Sequence, residues 1–364
     1  MNVDYVKYEN EEACSELIKF LKTLVPDISK QNWLWEYRKN PEFKGVVWVA
    51  KCDKKILAHY AFILGNYKYN NVVYKVAKAE GSLANIKEII KLPKNERRVF
   101  KRLVDHAVSD LKKHNTDFIY GFPNNQAIKS QVEAGYLKKE IPIYLSNLIF
   151  SFYKYKFFNS NLKSSNKLIL KVFSRLWNLF YKLYANLFLK PCDKVKTYNA
   201  NMIKEIISYF EKSSSLYERN FLNKVRNFSY LKWRYLENPY RNSKCAFYLE
   251  KKEITAFIAI SFSNEAQNNV KKAHVMDIRY QNYKQYRELI KWAISTSLSE
   301  NSISLDLWSN KISMDSKCIN LFLLKCGFIK RFKKVKKTFI LKSLNKNLEE
   351  SKIKFDTMRY LERL

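Results

Sequence analysis

The sequence predicts a mixed α+β (mixed α/β) fold written twice, on three observations. Trp35-Glu-Tyr-Arg-Lys-Asn-Pro41 returns as Trp233-Arg-Tyr-Leu-Glu-Asn-Pro239, so Trp, Tyr, Asn and Pro recur 198 residues apart, and Ile56/Ile254, Ala58/Ala256 and Ala61/Ala259 keep that separation. Gly135-Tyr136 and Gly327-Phe328 repeat at a slightly shorter spacing, as a shortened loop would give. A period this long indicates duplicated domains, because solenoid repeats recur every ~20 to 50 residues. The second observation is the order of patterns within each copy, β-α-α-β-β-β-α-β-α-β, an antiparallel front followed by a β-α-β rear. The third is size: 364 residues at 47% hydrophobic content suffice for two cores of ordinary extent.

In the first half, a short strand from Val3 to Tyr8 precedes a helix on which Leu17, Ile18, Phe20, Leu21 and Leu24 recur at helical spacing. Asn32 is placed to cap a short helix that carries Trp33, Trp35 and Tyr37 and stops before Pro41. Strands at Val46 to Lys51, Ile56 to Leu64 and Val72 to Ala79 are joined by polar turns into a meander. A long helix begins at Pro93, with Val99, Leu103, Val104, Ala107 and Leu111 on one face. A strand at Phe118 to Phe122, a helix to Ala134 and a strand near Ile141 to Leu145 complete the half. The second half repeats this order, from a helix at Lys204 to Glu211 to a strand at Val335 to Leu341. Domains are therefore expected at 1–148 and 197–342, with a connector at 149–196 and a charged tail at 343–364 that reads as a solvated helix.

The charge is lopsided, 67 Lys+Arg against 34 Asp+Glu, for a net +33. Such a balance favours anionic partners: nucleic acid, nucleotide-like ligands or an acidic membrane face. Abundant Lys, Asn, Ile, Tyr and Phe with only six glycines is also the usage of AT-rich coding, so the lysine content has two explanations. Six cysteines form no C-x-x-C pair and four histidines stand in no ligand spacing, which implies no metal and a reducing compartment. The residues after Met1 contain no apolar leader, which places the chain in the cytoplasm.

Residues 151–196 carry ten lysines and arginines against one acid, Asp193. From Leu168 to Lys190 the polar residues 171, 175, 178, 182, 186 and 190 draw one stripe along an otherwise apolar helix. Charge interrupts it short of the ~20 apolar residues a spanning helix needs. Two readings remain. In one, Trp177, Tyr181, Tyr184 and Phe188 lie in a headgroup zone while the lysines meet anionic lipid; in the other, the apolar face packs on the domains as a bridge.

The run Gly121-Phe-Pro-Asn-Asn-Gln-Ala-Ile, closing on Glu-Ala-Gly-Tyr136 after a meander and a long helix, resembles the C-terminal half of a GNAT (general N-acetyltransferase) domain. The paired Trp-x-Tyr-x-x-Asn-Pro copies resemble the tandem GNAT proteins of bacterial surface-polysaccharide biosynthesis, and more distantly the FemABX transferases. The likeness covers about residues 1 to 148 and 197 to 342. It implies two GNAT-like domains, each a mixed, mostly antiparallel sheet flanked by helices. It also implies transfer of an acyl group, acetyl in the simplest case, from acyl-CoA to an amine of a nucleotide- or lipid-linked sugar; on the lipid-binding reading, the basic connector would hold the chain near the inner face of the cytoplasmic membrane. The alternatives are an aminoacyl-tRNA-dependent transferase, and a non-catalytic basic scaffold for RNA, lipid or a partner protein.

In that superfamily a glycine-rich loop offers backbone N–H groups to the CoA pyrophosphate. Here the corresponding stretch, Pro93-Lys-Asn-Glu-Arg-Arg-Val-Phe100, has no glycine, nor does Arg279-Tyr-Gln-Asn-Tyr-Lys284. Lys94, Arg97 and Arg98 would hold a diphosphate by charge instead. Of the family's N-x-x-A-x-x-x-Y, Asn124 and Ala127 remain while Gln131 replaces the tyrosine acid; the second copy has Ser316, Ile319 and Leu323. Tyr120 or Tyr136 would then protonate the leaving thiolate. The base is expected at the end of the third meander strand, at Glu80 or at its counterpart Asp277. A carboxylate there also suits a turn or cap. The echoed motif suits core packing, or, bordering the acceptor groove, it would place Trp35, Tyr37, Arg38, Trp233 and Arg234 against a sugar or nucleotide.

Overall fold

Helices and strands follow the periodicities of the chain. The computed structural model describes residues 2–9, 15–26, 28–53, 55–70, 72–151, 164–213, 221–239, 242–265, 270–309, 316–330, 335–344 and 354–355. Lys154, Lys156 and Lys163 of the connector, and most of the charged tail, lie outside the described residues. The N-terminal half runs β1 (Asp4–Lys7), α1 (Ser15–Leu24), α2 (Lys30–Tyr37), β2 (Val46–Cys52), β3 (Lys55–Tyr69), β4 (Val72–Ala84), α3 (Ile86–Ile89), α4 (Val99–Lys113), β5 (Phe118–Gly121), α5 (Asn125–Glu133) and β6 (Leu137–Ile149). Then come α6 (Ser164–Phe188), β7 (Val195–Thr197), α7 (Ile203–Ser213), β8 (Phe221–Lys224) and α8 (Phe228–Leu231), which continues as one π-helical turn to Leu236. The rest is β9 (Asn242–Glu250), β10 (Glu253–Glu265), β11 (Val270–Arg279), α9 (Tyr283–Ser299), β12 (Ser304–Ser309), α10 (Ser316–Lys325), β13 (Ile329–Lys330), β14 (Val335–Ser343) and β15 (Lys354–Phe355).

Two local expectations change. The cap of α2 is Ser29, whose Oγ accepts from the Asn32 amide at 3.1 Å, because the helix begins before Asn32. In the tail, Lys354 and Phe355 form a strand parallel to β8 rather than a helix. The Gly135 and Gly327 echo has a plain cause. Both have φ near the left-handed region (+83° and +86°) at the ends of α5 and α10, where the next amide, Tyr136 or Phe328, reaches back to the carbonyl of Gln131 or Leu323.

The chain divides into two compact units, each discontinuous in sequence. Unit 1 comprises Met1–Ile141, Ser214–Trp233 and Lys336–Phe355; unit 2 comprises Pro142–Ser213, Arg234–Val335 and Asp356–Leu364. Unit 1 has strand order β1-β2-β3-β4-β5-β14, with β4/β5 as its parallel pair. Unit 2 has order β7-β9-β10-β11-β12-β6, with β11/β12 parallel. The closing strand of each sheet therefore comes from the other half of the chain, which differs from contiguous domains at 1–148 and 197–342. In unit 1, α4 and α5 cover one sheet face through Val99, Leu103, Val104 and Ala107, while α1 and α2 cover the other through Leu17, Leu21, Trp33 and Tyr37. In unit 2, α9, α10 and one side of α6 pack on a single face.

Unit 2 contains an acid-sensitive tie. Lys244 and Lys271 both bond Glu300 (2.6 and 2.8 Å), Lys244 acting more strongly, and together they hold its carboxyl down at about 2 against an ordinary 4.5. Because the folded value is depressed, this stabilisation is present above pH ~4.5 and is lost as pH falls toward ~2. Urea titrations of wild type and Glu300→Gln should therefore differ at pH 7 and converge near pH 2.

Candidate functional site

The β4 strand of unit 1 carries Glu80. Ala61 pairs with Glu80, but the next pair is His59 with Leu83, so an extra residue bulges from β4 directly after Glu80. Gly81 occupies the bulge with φ +58°; a Cβ there would stand 2.9 Å from the Tyr37 hydroxyl and 3.0 Å from the His59 ring. His59 donates from Nδ1 to the Gly81 carbonyl at 2.8 Å, which holds the bulge in place. The β4/β5 ladder ends at Ala79/Gly121, so from Glu80 onward β4 has no β5 partner among the described residues. Bulges re-aim side chains and end pairing, and they are over-represented beside active sites.

Glu80 is ion-paired with Lys78, two residues earlier on the same face, with both side chains largely buried. Tyr120 stands opposite Lys78 in register and shares a 2.8 Å hydroxyl contact with Tyr67. The Lys224 ammonium lies 5.2 Å over the Tyr67 ring and pairs with Glu42. A buried polar row thus runs from Glu80 to Glu42. Of its members, sequence reasoning named Glu80 and Tyr120 and missed Lys78, Tyr67, Lys224 and Glu42. One signal was legible: a lysine inside Val76-Ala77-Lys78-Ala79, spaced two from Glu80, has to share that residue's face.

Tyr136 approaches from the other face, among the residues packed by α4 and α5. Its hydroxyl is 3.1 Å from that of Tyr60, and Gln131 Nε2 donates to Tyr60 at 3.4 Å. Burial pushes the Tyr60 phenol up to about 12, and burial with the adjacent Tyr60 pushes Tyr136 well above its ordinary value. Asn124 caps α5, its side chain accepting from the Ala127 amide at 2.9 Å, so it is a structural cap rather than a ligand group.

The N-termini of the two long helices differ. At α4, Arg98 sits at the cap position with no side-chain cap bond and no acid follows in the first turn; Lys94, Arg97 and Arg98 are exposed around it, with Arg97 Nε bonded to the Leu92 carbonyl. At α9, Asn282 caps the Gln285 amide (3.0 Å), and the buried Gln285 side chain accepts from Gln281 and donates to Thr255. The first end leaves amides and positive charge available to an anion; the second has its Gln285 amide capped by a side chain.

The echoed motif is interior. Trp35 and Trp233 stack on each other (centroids 5.0 Å, 24°), and each indole donates to the other's backbone carbonyl, at 3.0 and 2.9 Å. Both are 4% exposed, which agrees with the core-packing reading of the motif and leaves little ring surface for a sugar. Arg38 points its guanidinium at the carbonyls of Tyr37, Gly45 and Tyr8, closing the end of α2. Tyr37 and Arg234 are buried. Asp277 pairs with Ala259 as Glu80 does with Ala61, which makes it the register counterpart, but it is buried and accepts from Tyr235 at 3.1 Å. In the register of Lys78 and Tyr120, unit 2 holds a row the sequence did not suggest. Ser263 Oγ is 2.9 Å from His274 Nε2, Asp306 is 3.4 Å from Nδ1, and Asn147 donates to Asp306 at 2.5 Å. Among the described residues no three His, Cys, Asp or Glu side chains gather as a metal site.

Two mixed sheets of this strand order, each with one parallel pair and helices on its faces, constitute the GNAT fold. Similar solved structures include a GCN5-related N-acetyltransferase from Anabaena variabilis (TM-score 0.59, 10% identity, over 94% of this chain and 73% of that one). A tandem GNAT protein of the clavulanic acid biosynthesis pathway is similar over 94% of this chain and 99% of its own (0.55, 8%). N-myristoyltransferase of Saccharomyces cerevisiae, solved with bound myristoyl-CoA, is similar over 94% and 79% (0.58, 10%). No protein-family profile and no curated protein matches the chain.

Proposed function

We propose that the chain is a tandem GNAT-type N-acyltransferase whose acyl-CoA site lies in unit 1. The observation that carries this reading is the coincidence, on one unit, of strands that part at Glu80 and a long helix whose N-terminus is uncapped and basic. Lys94 and Arg98 receive the diphosphate in place of a glycine loop, and the acyl-pantetheine arm enters where β4 leaves β5. The acceptor amine attacks the thioester carbon; the C–N bond forms, the C–S bond breaks, and Glu80 takes the amine proton. The departing thiolate takes a proton from Tyr120, which shares Glu80's sheet face, and return of the proton from Glu80 restores both groups. The acceptor class is an amine on a nucleotide- or lipid-linked sugar of cell-surface polysaccharide synthesis, whose phosphates a +33 chain attracts.

Calorimetry with acetyl-CoA and longer acyl-CoAs tests the donor site. Wild type should bind, Arg98→Glu should bind about tenfold or more weakly through loss and reversal of charge at the helix end, and Asn282→Ala should bind as wild type. No detectable binding at millimolar ligand sinks the CoA reading and leaves the aminoacyl-tRNA and scaffold alternatives.

A further inference from the structure

Helix α6 is held to unit 2 along one side only. Tyr181, Ala185 and Leu189 are buried in its core; Tyr181 and Tyr184 donate to the carbonyls of Cys326 and Lys325 (2.6 and 3.0 Å), and Trp177 donates to that of Ile149. The other side carries Ile169, Phe173, Leu176, Phe180, Leu183 and Leu187, each between 52 and 74% exposed. At ~100° and ~1.5 Å per residue, the exposed apolar positions from Leu168 to Leu187 cover an arc of about 140° over roughly 30 Å. That is broader than the two-in-seven seam of a coiled coil, and a contiguous face of this extent marks an interaction surface. Among the described residues no helix is long and apolar enough to cross a membrane.

Charge identifies what covers this face. The helix contains no acid. Between its exposed arc and its packed side stand Lys171, Arg175 and Lys182, which line an open groove of about 460 Å³ together with Ser174, Asn178 and Ser302. Among the described residues no carboxylate lines the groove. Ser302 is 4% exposed, and its hydroxyl has no hydrogen-bond partner among the described residues. Apolar side chains flanked by three cations and a polar recess match the layering of an anionic bilayer, with acyl chains below and phosphates above. A second copy meeting on the same face would bring like-charged flanks together.

We propose that α6 is an interfacial anchor for an anionic phospholipid surface, its exposed arc entering the acyl region while the Lys171, Arg175 and Lys182 groove takes a headgroup phosphate. Flotation of the full-length protein with vesicles of phosphatidylcholine, with and without phosphatidylglycerol, tests this. Wild type should float with the anionic vesicles and about tenfold less with the neutral ones, the preference falling as salt rises. Leu176→Glu/Leu183→Glu, both at exposed positions, should keep the wild-type circular dichroism and lose flotation. Arg175→Gln/Lys182→Gln should lose the preference for anionic lipid. The proposal fails if wild type stays at the bottom, if it floats equally with both vesicles, or if either variant floats as wild type does. It also fails if wild type is a dimer that Leu176→Glu/Leu183→Glu dissociates, since the face would then be a subunit contact.

Discussion

A fragment ending at residue 196 is expected not to fold, although it contains every element of one sequence repeat. It lacks β14, whose Ile340 to Ser343 pair with Gly121 to Phe118 of β5. Phe339, Ile340 and Leu341 are almost completely buried, and leaving such side chains out forfeits ~1.5 to 3 kcal/mol each. Trp233, the stacking partner of Trp35, is lost as well, at ~3 to 5 kcal/mol if it behaves as a deleted core aromatic. Together these rival the ~5 to 15 kcal/mol that separates a folded domain from its unfolded chain, and β5 is left as an open edge. Fragment 1–196 should therefore melt without a cooperative transition. A sharp thermal transition for that fragment would mean that the first contiguous half folds on its own.

What could be read before the structure and what could not divide along a physical line. Helix and strand patterns are local: the apolar stripe on α4 and the unbroken apolar run of β3 are written in neighbouring residues, and both halves showed such patterns. Which strand closes which sheet is not local, because the pairing of β14 with β5 joins residues more than 200 positions apart and leaves no periodic mark. For the same reason Lys224 was invisible as a neighbour of Glu42 and Tyr67. α6 shows a third limit. Its basic stripe was legible, yet period alone does not say which apolar side turns outward. Trp177, Tyr181 and Tyr184, which one of the two readings put in a headgroup zone, turn inward, where their N–H and O–H groups find carbonyls of Ile149, Cys326 and Lys325, and the opposite apolar side remains exposed. Phe188 alone of that set faces out.

Duplication preserved the register of the two carboxylates and not their surroundings. Glu80 stands at a bulge beside a strand gap, while Asp277 is sealed against Tyr235 and its following helix is capped by Asn282 and Gln285. Inheritance of a fold carries no guarantee of inherited chemistry, and the repeated tryptophan motif now reads as an architectural contact rather than a binding element.

If Glu80 is the base, Glu80→Gln should lower kcat by about 10²- to 10⁴-fold while the KM for acyl-CoA stays near wild type, because the proposed donor contacts are at α4. The same change removes the carboxylate charge set against the buried Lys78 ammonium, and breaking a buried pair destabilises by ~3 to 5 kcal/mol, so lost activity alone would not separate catalysis from unfolding. Lys78→Met/Glu80→Gln removes both charges and should regain most of that stability in urea titrations. A base cannot be restored this way: the double variant should fold and remain inactive. Asp277→Asn supplies the comparison, expected to lower the melting temperature through its weakened bond with Tyr235 while kcat stays at the wild-type value. Recovery of turnover in the double variant would reduce Glu80 to half of a structural ion pair and move the base elsewhere on the row that runs to Tyr67 and Lys224, whereas recovery of stability without turnover leaves proton transfer as the property that only the Glu80 carboxylate provides.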